Sequence, residues 1–92
     1  MVDNEIMEVG EQFAVLEFTY NGEQGTVDSP VRFDLPDSSV VEMAQEALRS
    51  GDVTGITADN TADLTDYKVG RYPAKDGLPN RFSLRPKTPF GG

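Results

Sequence analysis

Few residues in this chain could carry out covalent chemistry unaided. Cys and His are both absent, so there is no thiol nucleophile, no imidazole base, no disulfide frame and no ordinary zinc or haem site. Carboxylates, hydroxyls, lysines and arginines remain. Glu11, Glu17 and Glu23 lie in or beside a strand-like segment, and nothing in their neighbourhood pairs them or raises a pKa as an acid–base couple requires. Asp52, Asp59, Asp63 and Asp66 crowd one stretch, but their spacing departs from the calcium loop and no bidentate Glu follows at the twelfth place. They read as a solvated loop. Lys68, Lys75 and Lys87 are ordinary surface amines. No phosphate-binding glycine loop is present, since Lys87-Thr88 lacks the preceding Gly.

The pair Gly91-Gly92 offers a different chemistry. Without a Cβ, a diglycine end is thin and adopts nearly any backbone angle. It can thread a narrow channel and present the Gly92 carboxylate to ATP for adenylation. The acyl group can then pass to a thiol, an amine or a sulfide. Pro86 and Pro89 would keep the approach extended and stop the tail from joining a sheet. A bacteriocin-type double-glycine leader is excluded, because that class needs an apolar residue four from the end on a helix, and Pro89 stands there.

The elements that must position this tail are legible in outline. Ala14, Leu16, Phe18 and Tyr20 alternate with polar residues, as a half-buried strand does. Asn21-Gly22 then supplies a hairpin turn. The return strand reads best at its far end, where Val31, Phe33 and Leu35 alternate with Arg32 and Asp34, and Pro30 marks a bulge or late start. Ser39-Val40-Val41-Glu42 fits a capping box, with Asp37 and Ser38 as competing caps. Val40, Val41, Ala44, Ala47 and Leu48 form one apolar stripe, with Glu42, Gln45 and Glu46 opposite. Arg49 suits the last turn, and Ser50-Gly51 ends the helix. After a loop over 51–66, Tyr67, Val69 and Tyr72 form a short extended segment broken at Pro73. Asp76-Gly77 turns the chain. Arg81 to Arg85 makes the final strand with Phe82 and Leu84 inward, and Pro86 stops it. If that strand pairs in parallel with the first, the helix lies in the crossover. The expected fold is α+β, a small mixed sheet with one helix packed across it, in β-grasp topology; other two-layer α+β arrangements fit the pattern too. The division expected is an acidic arm over 1–11, flexible in character, a domain over 12–86 and an exposed tail over 87–92.

The order hairpin, helix, loop, last strand, Gly91-Gly92 resembles the ubiquitin-like family. Leu64-Thr65-Asp66-Tyr67-Lys68-Val69 is similar to the stretch preceding ubiquitin's final strand. The connection onward is longer, holding Pro73, Asp76-Gly77 and Pro79. Pro89 and Phe90 look more like the apolar tails of the family's sulfur carriers than ubiquitin's basic approach. The resemblance implies a non-catalytic protein modifier of bacterial or archaeal type, adenylated at Gly92 and conjugated through an isopeptide bond. A sulfur carrier bearing a C-terminal thiocarboxylate is the alternative it implies. A β-grasp interaction or structural module whose tail is never activated also fits. In the leading reading Gly92 and Gly91 are the conjugation site, and Phe90, Pro89, Lys87 and Arg85 dock the tail. The partners implied are an ATP-dependent adenylating enzyme, a conjugating enzyme and a diglycine-directed peptidase. ATP and magnesium would belong to the enzyme, leaving this chain without a cofactor.

Composition bounds the remaining partners. The chain has 92 residues and a net charge of −8, one domain at most. Residues 1–66 hold 15 acids and two bases, Arg32 and Arg49, whereas residues 67–92 hold six bases and the single acid Asp76. An acidic body repels nucleic acid and anionic lipid, and the basic end is too sparsely charged to reverse that. Neutralisation of the body by this end is the simplest expectation. No apolar run is long enough to span a membrane, and the acidic start lacks the apolar core of a secretory signal. A monomer in a reducing cytoplasm is expected.

Overall fold

A computed structural model describes residues 12–87. The expected arm, residues 1–11, and the last five residues, 88–92, lie outside the described residues. The chain runs β1 (Phe13–Tyr20), β2 (Glu23–Val27), β3 (Val31–Arg32), α1 (Asp37–Ser50), β4 (Val53–Thr54), β5 (Tyr67–Tyr72) and β6 (Arg81–Pro86). One helix and a mixed six-stranded sheet make an α+β fold.

The first turn behaves as its residues dictate. Asn21 and Gly22 take φ of 55° and 83°, the left-handed pair that matches the twist of a two-residue hairpin. Tyr20 therefore faces Glu23, and β2 pairs antiparallel with β1. The return strand differs from expectation. It forms at its near end, Glu23–Val27, and the segment holding Val31 contributes only two residues, opposite Phe13 and Ala14. Asp28-Ser29-Pro30 interrupts the ladder between them, because Pro30 has no donor to give. Phe33 and Leu35 instead pack against the core from a connecting segment.

The helix starts at Asp37, two residues before the expected cap. Pro36 occupies the N-cap with extended geometry and makes no side-chain cap bond, so the capping box does not form. Fixed φ at Pro36 pre-sets the entry, and the Pro36 carbonyl accepts the N–H groups of Ser39 and Val40 at 3.0 and 3.1 Å. Gly51 closes the helix at φ 82°, the left-handed ending that glycine adopts without a Cβ clash. Val40, Ala44 and Leu48 are fully buried and Val41 and Ala47 are partly so. The stripe seals one face of the sheet.

The strand order is β4-β2-β1-β6-β5, with β3 also on β1. The last strand runs parallel to the first, Leu16 opposite Phe82 and Phe18 opposite Leu84. All four side chains are buried under the helix. Such burial stabilises by about 1.5–3 kcal/mol per large side chain. The alternate residues of the same strands, among them Glu17, Thr19, Ser83 and Arg85, point to the uncovered face.

The stretch over 51–66, expected as a solvated loop, holds the short strand β4 on the edge of β2, and the rest is fixed by side-chain bonds. Asp59 accepts the backbone N–H and hydroxyl of Thr61, and Asp63 those of Thr65. Tyr20 donates its hydroxyl to Asp59 at 2.7 Å. Gln45, expected in solvent, accepts the Leu64 N–H, and Arg49 donates Nε–H to the Ala62 carbonyl. These bonds hold Ala62 and Leu64 in the core with no exposure.

Candidate functional site

The tail residues Pro89, Phe90, Gly91 and Gly92 lie outside the described residues, so the site is built from the strand that leads to them. β6 sits between β1 and β5, and its register places Lys68 opposite Arg85, Gly70 opposite Ser83 and Tyr72 opposite Arg81 on the uncovered face. Two like charges directly across a ladder repel. Among the described residues no carboxylate lies within salt-bridge distance of either. Lys87 follows beyond Pro86, and its N–H donates to the Asp66 carbonyl at 3.4 Å. Lys68, Arg85 and Lys87 thus gather where the chain leaves the sheet.

The other bases are engaged elsewhere. Arg81 donates to the Glu17 carboxylate at 3.1 Å, and its guanidinium lies 4.6 Å from the centre of the Tyr72 ring. That ring covers Gly70: its hydroxyl stands 2.9 Å from where a Cβ on Gly70 would be. Arg71 points to the helix side. It donates to the Phe33 carbonyl at 3.0 Å, to the Leu35 carbonyl, and to the Asp37 carboxylate at 2.7 Å. Its guanidinium also lies 4.9 Å over Phe82. Arg32 pairs with Asp34 at 2.8 Å. Among the described residues, neutralisation of the acidic body by ion pairing therefore holds for Arg71 and Arg81 but not for Lys68 and Arg85.

Two further groups frame this end of the sheet. Tyr67 donates its hydroxyl to the Thr19 carbonyl at 2.8 Å, tying β5 to the end of β1; burial raises its phenol pKa. Beside it a shallow cleft of about 450 Å³ is floored by Val41, Tyr67 and Val69 and edged by Lys68 and Lys87 together with Asp37 and Glu42. On the uncovered face Thr19, Gln24, Ser83 and Arg85 line a second concavity of about 430 Å³. Around the exit of β6 the bases Lys68, Arg85 and Lys87 stand near acids, Asp37 and Glu42 on the first concavity and Glu17 on the second.

Among the residues anticipated for tail docking, Arg85 and Lys87 are exposed at this exit. Lys68 was not anticipated. Its only sequence signal is its place on the polar alternation of β5, and which residue it would face depends on a register that alternation does not set. The acids of the loop make no metal site: among the described residues no group of three or more carboxylates is placed to hold an ion. Nor does any buried side-chain polar atom lack a partner there, so none is left aimed at a ligand. Among the described residues no helix is long and apolar enough to cross a membrane.

No protein-family model matches the chain, and no curated protein or solved structure does either.

Proposed function

We propose that this protein is a ubiquitin-like β-grasp carrier whose Gly92 carboxylate is activated by a separate adenylating enzyme. The observation that carries the reading is the placement of β6. It lies parallel to β1 in the middle of the sheet, with the helix across the other face, and runs out at Pro86 beside the cationic group of Lys68, Arg85 and Lys87. Five residues separate Lys87 from the carboxylate of Gly92, an extended reach of roughly 17 Å. A tail of that length can enter an enzyme channel while the sheet face rests on the enzyme's surface.

The chemistry proceeds by acyl transfer. The Gly92 carboxylate attacks the α-phosphorus of ATP, and pyrophosphate leaves. The resulting acyl adenylate loses AMP to a nucleophile. A thiol gives a thioester, from which a target lysine amine forms an isopeptide bond. Sulfide gives a thiocarboxylate instead. Gly91, lacking a Cβ, would leave clearance for the nucleotide, and Pro89 and Phe90 make the approach apolar, with no donor at Pro89 for a ladder. The same scheme holds if a diglycine-directed peptidase first exposes Gly92 within a longer precursor.

Intact-mass analysis after incubation with ATP, magnesium and the cognate activating enzyme tests this. The expected products are an adenylate or thioester, and then either a conjugate or the replacement of one oxygen by sulfur. The product decides between modifier and sulfur carrier. Charge reversal in a Lys68→Glu/Arg85→Glu variant should slow activation and flatten its salt dependence. No covalent product with that enzyme, together with unchanged function after removal of Gly92, would leave a binding module only.

A further inference from the structure

The second half of α1 and the segment from Val27 to Val31 enclose a cleft of about 650 Å³. It shares Glu42 with the cleft edged by Lys68 and Lys87, but neither Lys68 nor Arg85 lines it, and it takes no part in the reading above. Its floor is apolar: Val27, Val31, Met43 and Ala47. Met43 is 42% exposed, although it stands beside the buried stripe. An unbranched thioether on a surface adapts to varied apolar partners.

The rim carries Asp28, Glu42, Glu46 and Asp52, and no Lys or Arg lines the cleft. Glu42 and Glu46 stand one helical turn apart, a like-charge pair that disfavours the helix it sits on. The cleft also flanks the last turns of α1, where the helix dipole is negative. Two sources of potential, the rim carboxylates and the helix dipole, therefore converge on one apolar depression, and both favour a cation at its edge.

The backbone limits the shape of what can bind. The edge of β2 is already taken by β4, with Thr26 opposite Thr54 and Val27 opposite Val53. Beyond it, the Asp28 N–H donates to the Asp52 carbonyl at 2.9 Å. An added strand would find the β2 edge occupied, which favours recognition through side chains.

We propose that this cleft docks a partner protein segment with an apolar anchor flanked by Lys or Arg, presented as a short helix or turn. The anchor inserts between Met43 and Val31, and the flanking cations meet Glu42, Glu46 and Asp28. A nucleic acid or anionic surface is repelled by the same rim.

The test uses the full chain and a short amphipathic helical peptide of leucine and lysine, with its leucine–glutamate counterpart as control. Methyl and amide NMR shifts at physiological ionic strength map the contact. Saturable binding is expected for the lysine peptide alone, with shifts confined to Val27, Val31, Met43 and Ala47. A Met43→Ser variant and a Glu42→Gln/Glu46→Gln variant change exposed helix positions, and each should weaken binding by about tenfold while leaving the melting temperature nearly unchanged. The proposal is overturned if the shifts spread over the acidic loop at Asp59 to Asp66 as well. Equal binding of the glutamate peptide, no saturable binding, or unchanged affinity in both variants would overturn it too.

Discussion

Arg71 shows how much one side chain can organise here. From an edge strand it reaches the Phe33 and Leu35 carbonyls, the Asp37 carboxylate and the face of Phe82. The two carbonyls belong to a segment without a ladder, so their acceptors would otherwise face water or go unmet. A planar guanidinium can serve several acceptors and an aromatic face together, which an ammonium cannot. Arg71→Ala is therefore expected to cost about 1.5–3 kcal/mol in denaturant unfolding, in line with charge-assisted hydrogen bonds. Arg71→Lys should recover less than half of that loss. Full recovery by lysine would mean that charge pairing with Asp37 is the whole effect.

At the scale of elements, the edge formed by β2 and β4 rests on two glycines. A Cβ on Gly25 would lie 2.4 Å from the Thr54 carbonyl oxygen and 2.8 Å from Ile56 Cγ1, and one on Gly55 2.5 Å from the Gln24 carbonyl oxygen. Gly55 also holds φ at 102°, where side chains are strained. Gly25→Ala must push β4 off, because the nearest obstacle is backbone. A loss of about 1–3 kcal/mol is expected, with faster hydrogen exchange at Val27 and Val53 and little change in β1 or β6. Uniform exchange across the sheet would show that β4 is not a separable unit. The helix illustrates the same reasoning in reverse. Its buried stripe follows from spacing alone, whereas its start at Asp37 reflects Pro36 and the grip of Arg71, a contact across 34 residues.

For the whole molecule, the charge split resolves into distinct roles. Part of the basic end binds the body through Arg71 and Arg81, and part, at the exit of β6, has no salt-bridge partner among the described residues. The acidic loop is self-satisfied: the Thr61 hydroxyl and the Tyr20 hydroxyl hold the Asp59 carboxyl below the ordinary range, and the Thr65 N–H and hydroxyl do so for Asp63. A lowered folded pKa means that the unfolded chain binds protons first as pH falls. These contributions are thus complete above the ordinary Asp value of about 3.9 and disappear as pH drops through the lower folded values. An Asp59→Asn/Asp63→Asn variant should be less stable near neutrality and should show a shallower decline below about pH 4. Unfolding curves across that pH range measure both effects. Parallel slopes for the two proteins would remove these carboxylates as the cause.

Local residue order was enough to place the Asn21-Gly22 and Asp76-Gly77 turns, the apolar stripe of α1, and the inward set Leu16, Phe18, Phe82 and Leu84. Each is a local property, set by φ preference or by a period of 2 or 3.6 residues. It also determined that the bases are gathered in the last third of the chain. Which bases find partners depends on strand pairing. Lys68 meets Arg85 because β5 and β6 pair in one register, and Arg81 meets Glu17 because β6 lies parallel to β1. Alternation says which face a residue takes but not which strand lies beside it. The cationic exit and the acidic-rimmed cleft both arise from such long-range juxtapositions, and no window of the sequence contains either one.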